Sequence, residues 1–517
     1  MTKRGKKSTK TIEFGDFQTP MALARAVCRV LASRGSCPAS VVEPTCGLGN
    51  FLIAALERFP AVQSALGIDI NASYVESTKA AIARHHFQDK TRVLHGDFFE
   101  LDWPAILREL PEPVLLIGNP PWVTNSQLAT LGSENLPKKS NFQGRNGLDA
   151  ITGKANFDIS EWMLIRLLEW LGERRGTLAM LCKTAVARKA LAHAWRDGIA
   201  LSSAEMYAID AKESFGASVD ACLFACEFSR RGGAQNARVL SRLEEGEEVT
   251  VLGYHDGRVI ADARRYDRWK HLRGSRALRW RSGVKHDCGR VMELVREGRT
   301  YRNGLGELVE LEDAYVYPML KSSELANDSV QAPKRWMLVT QQRVAQETRG
   351  IQTTAPKTWH YLESHGDVLD RRASSIYRKQ PRFSIFGVGP YTFAPWKVAV
   401  SGFYKRLHFA VIGSIAGKPI VLDDTCYFIP CPSRADAEFV ASLLNSQTSR
   451  EFFSSLVFWE AKRPITGEIL GQLDLVALAS ELRAEPQRAE QLLQWTRKVQ
   501  RADGAGFRQQ ELFPAPS

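Results

Sequence analysis

The chain has 517 residues, with 69 Lys and Arg against 57 Asp and Glu, a formal net charge of +12 and 44% apolar residues. This suffices for roughly two to three domains with full cores, and the positive surplus favours a polyanionic partner whose phosphates release counterions on binding. No apolar run approaches the roughly 20 residues of a membrane span, the basic start Met1 to Lys10 lacks the apolar core of a secretory leader, and cysteines without C-x-x-C spacing, two of them (Cys222 and Cys226) on one predicted strand, argue for free thiols over zinc or disulfides. A cytoplasmic protein without a metal is expected.

In chain order, Val41-Val42 predicts a short strand, followed by the glycine-bearing turn Glu43-Pro44-Thr45-Cys46-Gly47-Leu48-Gly49-Asn50 and a helix from Phe51 to Phe59. Gly47 and Gly49 would let backbone approach a ligand closely. The next strand, Ala65 to Ile70, carries Asp69 about 20 residues past the glycines, the offset at which an acid meets ribose hydroxyls. The competing role is a helix cap for Ala72 to His86, which Asn71 would fill equally well. A third strand, Arg92 to His95, ends at Gly96-Asp97-Phe98, where Asp97 could accept from an adenine amino group and Phe98 could pack on its ring.

The apolar run Val114 to Gly118 reads as a buried parallel strand and delivers Asn119-Pro120-Pro121-Trp122 to its carboxyl end. The two prolines stiffen the turn, so that the Asn119 side-chain oxygen and a proline carbonyl are held as paired acceptors suited to an exocyclic amine. Trp122 offers a flat face for a planar base. A polar loop from Asn125 to Asn156 follows, in which Lys138, Lys139 and Arg145 could reach phosphate. A helix from Asp158 to Leu171, strands at Thr177 to Cys182, Ala204 to Ile209 and Ala221 to Phe228, and a helix from Ala185 to Trp195 complete seven strands. Gly232 to Asn236 marks a boundary.

Beyond it the pattern is mixed and aromatic, with strands predicted at Val249 to Tyr254 and Trp396 to Val400. Arg264, Arg265, Arg268, Lys270, Arg273, Arg276, Arg279 and Arg281 alternate with Tyr266, Trp269 and Trp280, and a second basic group is Arg371, Arg372, Arg378 and Lys379. Both are candidate DNA contacts. Ser282 to Asp287, Pro356 to Trp359, Ser374 to Tyr377 and Phe383 to Gly387 set hydrogen-bonding groups beside rings in predicted loops, a surface able to read base edges. Leu443 to Ser446 and Arg463 to Thr466 fall in a closing helical portion. The tail Gln509 to Phe513 resembles a sliding-clamp-binding peptide, with an incidental hydrophobic pair as the alternative.

Taken in order, these motifs resemble the class I S-adenosylmethionine-dependent amino-methyltransferases of DNA, specifically the gamma, adenine-N6 group of Taq-type and Eco57I-type restriction-modification methylases. The resemblance covers roughly the first half of the chain. It implies an α/β fold, a Rossmann-like domain with a seven-stranded, mostly parallel sheet, followed by a mixed α+β target-recognition domain. The implied layout is a basic tail over 1–16, the catalytic domain over 17–235, the recognition domain over 236–500 and a tail over 501–517. S-adenosylmethionine would be held by Thr19 and Pro20 in the segment before the first helix, by Glu43, Cys46, Gly47 and Gly49 in the loop, and by Asp69, Ile70, Asp97 and Phe98. Asn119, Pro120, Pro121 and Trp122 would be the catalytic turn, and Phe215 a second aromatic packing on a flipped base, with core filling as its alternative. Trp122 departs from the Tyr or Phe of many relatives. Double-stranded DNA is the implied partner of a monomer. Only a short tail precedes Phe17, so any restriction endonuclease is expected on a separate polypeptide. Cytosine-N4, RNA or a protein glutamine amide remain alternative targets, and a catalytically silent DNA-binding subunit is the non-enzymatic alternative.

Overall fold

The computed structural model describes residues 17–123, 158–228, 233, 235–330 and 333–501. The loop carrying Lys138, Lys139 and Arg145, both terminal tails and the clamp-like peptide lie outside those residues. The chain divides into two compact units between Ala263 and Arg264.

In the first unit α1 (Met21–Ser33) precedes β1 (Ser40–Glu43), α2 (Asn50–Arg58), β2 (Ser64–Asp69), α3 (Ala72–Ile82), β3 (Thr91–His95), α4 (Trp103–Arg108) and β4 (Val114–Gly118). Next come α5 (Ile159–Leu171), β5 (Gly176–Lys183), α6 (Thr184–Arg196), β6 (Leu201–Ile209), α7 (Ala211–Phe215) and β7 (Ala221–Phe228). The strand order across these seven is β6-β7-β5-β4-β1-β2-β3, and β7 runs antiparallel to both neighbours. All residues of β1 and β4 are buried, which is why they read as uninterrupted apolar runs. β1 pairs in parallel with β2 on one side and β4 on the other, so the strand order reverses there and opens a crevice at the carboxyl ends.

Two expectations change in detail. Helix α3 stops at Ile82 instead of His86, because the chain turns to bury Phe87, 1% exposed, against the core. The strand expected at Val249 to Tyr254 in the recognition half forms as β9 (Glu248–His255), and with β8 (Asn236–Leu240) and β10 (Arg258–Ile260) it extends the first sheet: β8 lies parallel to β6, and β9 and β10 follow as antiparallel neighbours. Backbone donors along β6 would otherwise be an open edge.

The second unit is mixed α+β, as expected. A six-stranded sheet is built from residues of 293–338 with Val421–Leu422, and a four-stranded sheet from Arg281–Ser282, Cys426–Cys431, Trp396–Ser401 and Ala410–Ile412. Helices Arg434–Leu444, Gln447–Leu456, Leu475–Glu481 and Pro486–Arg501 close the chain. Pro356 to Trp359 is not a loop. It opens the helix Pro356–Ser364, whose first amides, on Lys357 and Thr358, donate to the Glu312 carboxylate at 2.9 and 2.8 Å. Arg372 turns inward: its guanidinium lies 3.7 Å from the Tyr377 ring centre and donates to the Ser384 carbonyl at 2.7 Å.

Candidate active site

A cleft opens at the carboxyl ends of β1, β2, β3 and β4. Of the expected cofactor and catalytic residues, Thr19, Glu43, Cys46, Gly47, Asp69, Ile70, Asp97, Phe98, Asn119 and Pro121 line it. Pro20, Gly49, Pro120, Trp122 and Phe215 are not among the lining residues.

The loop after β1 is shaped by its glycines. Gly49 adopts φ 74° and caps α2, and a β-carbon there would lie 2.5 Å from Thr78 Cγ2. It is therefore a packing glycine rather than a ligand contact. Gly47, at φ 48°, faces the cleft; its amide donates to Asp69 Oδ2 at 2.7 Å and its carbonyl accepts from Thr78 Oγ1 at 2.8 Å. Asp69 Oδ1 accepts from the Asn71 amide at 2.8 Å, while Asn71 caps α3 by accepting from the Ser73 amide. Asp69 thus ties the loop to the strand end, with its carboxylate among the groups lining the cleft.

Glu43, 3% exposed, accepts from the Leu52 amide at 2.9 Å near the start of α2. Burial, reinforced by the charge of Asp69, pushes its carboxyl well above the usual range despite the helix amides that oppose the shift. Asp97 accepts from the Phe99 amide at 2.8 Å. Phe98 packs on Trp103 and Trp170, with ring centres 5.0 and 5.9 Å away, giving the far wall a fixed aromatic face.

Asn119 is held by the chain segment before α1. Its Nδ2 donates to the Phe17 carbonyl at 3.0 Å, and its Oδ1 is buried without a hydrogen-bond partner among the described residues. The carbonyl fixes which way the amide points, since it can only accept. The Gln18 side chain accepts from the Leu48 amide at 3.1 Å, and the Thr19 carbonyl accepts from Asn50 Nδ2 at 2.7 Å. One short segment therefore touches both the glycine loop and the Asn119–Trp122 turn.

Trp122 differs from the expected exposed face. It is 5% exposed, donates its indole N–H to the Leu181 carbonyl at 3.3 Å, and packs with Phe17 and Phe215 at ring-centre separations of 5.7 and 5.2 Å. Phe17 and Phe215 are themselves 6.0 Å apart. A base inserted between two faces needs roughly twice the 3.5–4.0 Å contact distance, so this aromatic triad must part to admit one.

Sequence reasoning missed Tyr74, Met163 and Asn50, which also line the cleft. Tyr74 lies one turn into the helix that follows Asp69, a place its spacing from the strand end could have indicated. Among the described residues no Lys, Arg or His lines the cleft, in a chain with a net charge of +12, whereas Glu43, Asp69 and Asp97 all do. Such a donor set disfavours a pyrophosphate and fits a nucleoside that carries positive charge at a sulfonium and an ammonium. Among the described residues no group of His, Cys, Asp and Glu could hold a metal ion, and no helix is long and apolar enough to cross a membrane.

A scan against protein-family profiles finds no match. Over 469 residues the chain is 46% identical to the type II methyltransferase M.NspV of Nostoc sp., covering 90% of this chain and 97% of that protein. It is 29% identical over 114 residues to the type II methyltransferase M.XamI of Xanthomonas campestris pv. amaranthicola, covering 22% of this chain and 20% of that one. Among solved structures, the type IIL restriction-modification enzyme MmeI in complex with DNA aligns over 93% of this chain and 76% of its own, at 11% identity and a TM-score of 0.48. A type I restriction-modification methyltransferase subunit from Streptococcus thermophilus aligns over 44% of this chain and 48% of its own, at 15% identity and a TM-score of 0.32. Sharing 46% of aligned residues along nearly all of M.NspV, and presenting a cleft whose acids suit a cationic nucleoside, the chain belongs to the type II methyltransferases of restriction-modification systems, with S-adenosylmethionine as its methyl donor.

Proposed function

We propose that the protein methylates the exocyclic N6 of an adenine extruded from double-stranded DNA, at one recognition sequence. The observation that carries this reading is Asn119 Oδ1, a buried acceptor without a partner among the described residues, oriented by the Phe17 carbonyl. A buried polar atom left unpaired costs about 1–3 kcal/mol, a cost relieved when a donor arrives.

An adenine amine is a weak nucleophile because its lone pair is delocalised into the ring. If Asn119 Oδ1 and the Pro120 carbonyl each accept one amino hydrogen, the nitrogen moves toward tetrahedral geometry and its lone pair becomes available. S-adenosylmethionine supplies an electrophilic methyl carbon on a sulfonium. The chain's contribution is orientation; the extra proton on the methylated amine leaves to water. Thr19, Glu43, Cys46, Gly47, Asp69, Ile70, Asp97 and Phe98 would hold the donor, and Trp122 and Phe215 would open to stack the extruded base, offsetting an extrusion cost of a few kcal/mol. The second unit would read the site, and cleavage would belong to a separately encoded endonuclease. The protein would act as a monomer in the cytoplasm.

Long-read sequencing of DNA from a host expressing the chain tests this reading. The expected result is N6-methyladenine at a single sequence motif. N4-methylcytosine at a motif would overturn the choice of base, and unmodified DNA with label entering RNA or protein would overturn the choice of substrate.

A further inference from the structure

The catalytic turn has a second attachment, on the side away from Phe17. Lys183, the last residue of β5, donates from Nζ to the Trp122 carbonyl at 3.1 Å and pairs with Asp158 Oδ2 at 2.5 Å. Asp158 is 7% exposed and caps α5, its Oδ1 accepting from the Ser160 amide at 3.1 Å and the Ser160 hydroxyl at 2.5 Å. The Ile159 amide donates to the Val123 carbonyl at 2.9 Å. Thus the two carbonyls that follow the proline pair and Trp122's indole N–H are bound by β5 and the start of α5, and the Lys183 side chain joins the turn, β5 and the cap of α5.

We infer that Lys183, held by Asp158, is a positioning residue for methyl transfer: it fixes the Trp122 carbonyl and thereby the orientation of the turn that presents Asn119 Oδ1. The inference deepens the proposed reading of this site and rests on it for the role of Asn119. Lys183 is not among the residues lining the cleft, so it acts through the turn and not on donor or base. An ammonium suits the task because it has three donors, and two of them satisfy a buried carboxylate and the Trp122 carbonyl. Near-attack geometry is sensitive to displacements of about 1 Å, which cost on the order of 100-fold.

The test is single-turnover transfer of tritiated methyl from S-adenosylmethionine to unmodified phage DNA by the full chain, with calorimetric binding of S-adenosylmethionine and thermal melting measured alongside. For Lys183→Met we expect the transfer step to fall about 100-fold, donor affinity to stay within about 3-fold and melting to remain cooperative, with Lys183→Arg recovering most of the rate. The pH dependence of the residual rate keeps the wild-type shape, since Lys183 moves no proton. Wild-type transfer by Lys183→Met overturns the inference, as does a parallel loss of melting temperature and donor affinity that Lys183→Arg does not restore. The assay counts methyl on any base, so a wild-type enzyme that methylates cytosine defeats the adenine reading while leaving this comparison intact.

Discussion

The two units place their charged groups differently. In the first, among the described residues, the cleft leaves Asn119 Oδ1 buried and without a partner and gathers three carboxylates with no basic residue in its lining. In the second, several of the basic residues that the sequence brings to notice are committed to internal partners: Arg276 to Asp474 at 3.0 Å, Lys270 to Asp267 at 3.1 Å, and Arg372 to backbone carbonyls. Net charge therefore indicates the class of partner and says little about which side chain meets it. An unsatisfied acceptor is more specific, because burial makes its vacancy costly unless a ligand fills it.

If the aromatic triad is a packed element that opens, removing its centre should cost the most. Trp122→Ala is expected to destabilise the first unit by about 3–5 kcal/mol and to abolish transfer, whereas Trp122→Phe should lose only the bond to Leu181 and keep much of both. Calorimetric melting with and without S-adenosylmethionine checks this; unchanged stability in Trp122→Ala would mean that the ring is a free stacking surface after all.

In the second unit, Arg372→Met should destabilise by about 1–3 kcal/mol, since it takes the guanidinium donor away from the Ser384 and His286 carbonyls. It should do so in the absence of DNA, visible as a lower denaturant midpoint. An effect confined to DNA affinity would restore Arg372 to the candidate phosphate contacts.

A subtler contrast lies in proton linkage. Burial raises the Glu43 pKa, which favours its protonated form, and a cation bound nearby opposes that shift, so that binding releases a proton wherever the free carboxyl is protonated. Donor affinity should accordingly rise with pH until Glu43 is ionised. Calorimetry in buffers of different ionisation enthalpy should detect the released proton for the wild type and not for Glu43→Gln.

The smallest expected effect concerns Lys397, which is 1% exposed and donates to the Ala394 and Ile420 carbonyls at 2.5 and 2.9 Å; burial lowers its pKa to about 7. The folded-state pKa lies below the unfolded value of 10.5, so unfolding takes up a proton between those limits. The contribution of this group to stability therefore grows as pH rises from about 7 and is lost as pH falls through that value. Melting of the second unit should shift upward by a few degrees over that range, and Lys397→Met should flatten the shift.

Much of the first unit was legible because its central strands are buried on both faces and so spell continuous apolar runs, as in Val114 to Gly118. The strands at 236–260 were harder to assign, since they are only partly buried, without a clean period, and resemble the short strands of a separate domain. The glycine loop, Asp69 and Asn119 could be read from their offsets to strand ends. The burial of Trp122 could not: it depends on Phe17 and Phe215, whose convergence is a property of the folded sheet ends. Lys183 was silent for the same reason, its partners Trp122 and Asp158 being remote in sequence.

The most direct test is Asn119→Ala, assayed by single-turnover methyl transfer and by DNA affinity on the same preparation, with Asn119→Asp in parallel. The account predicts that Asn119→Ala loses at least about 1000-fold in transfer, comparable to removing a key preorganised hydrogen-bonding group, while DNA affinity changes by less than about 3-fold. Asn119→Asp, which keeps an acceptor and loses the donor to the Phe17 carbonyl, should fall between. Transfer by Asn119→Ala at the wild-type rate would contradict the account.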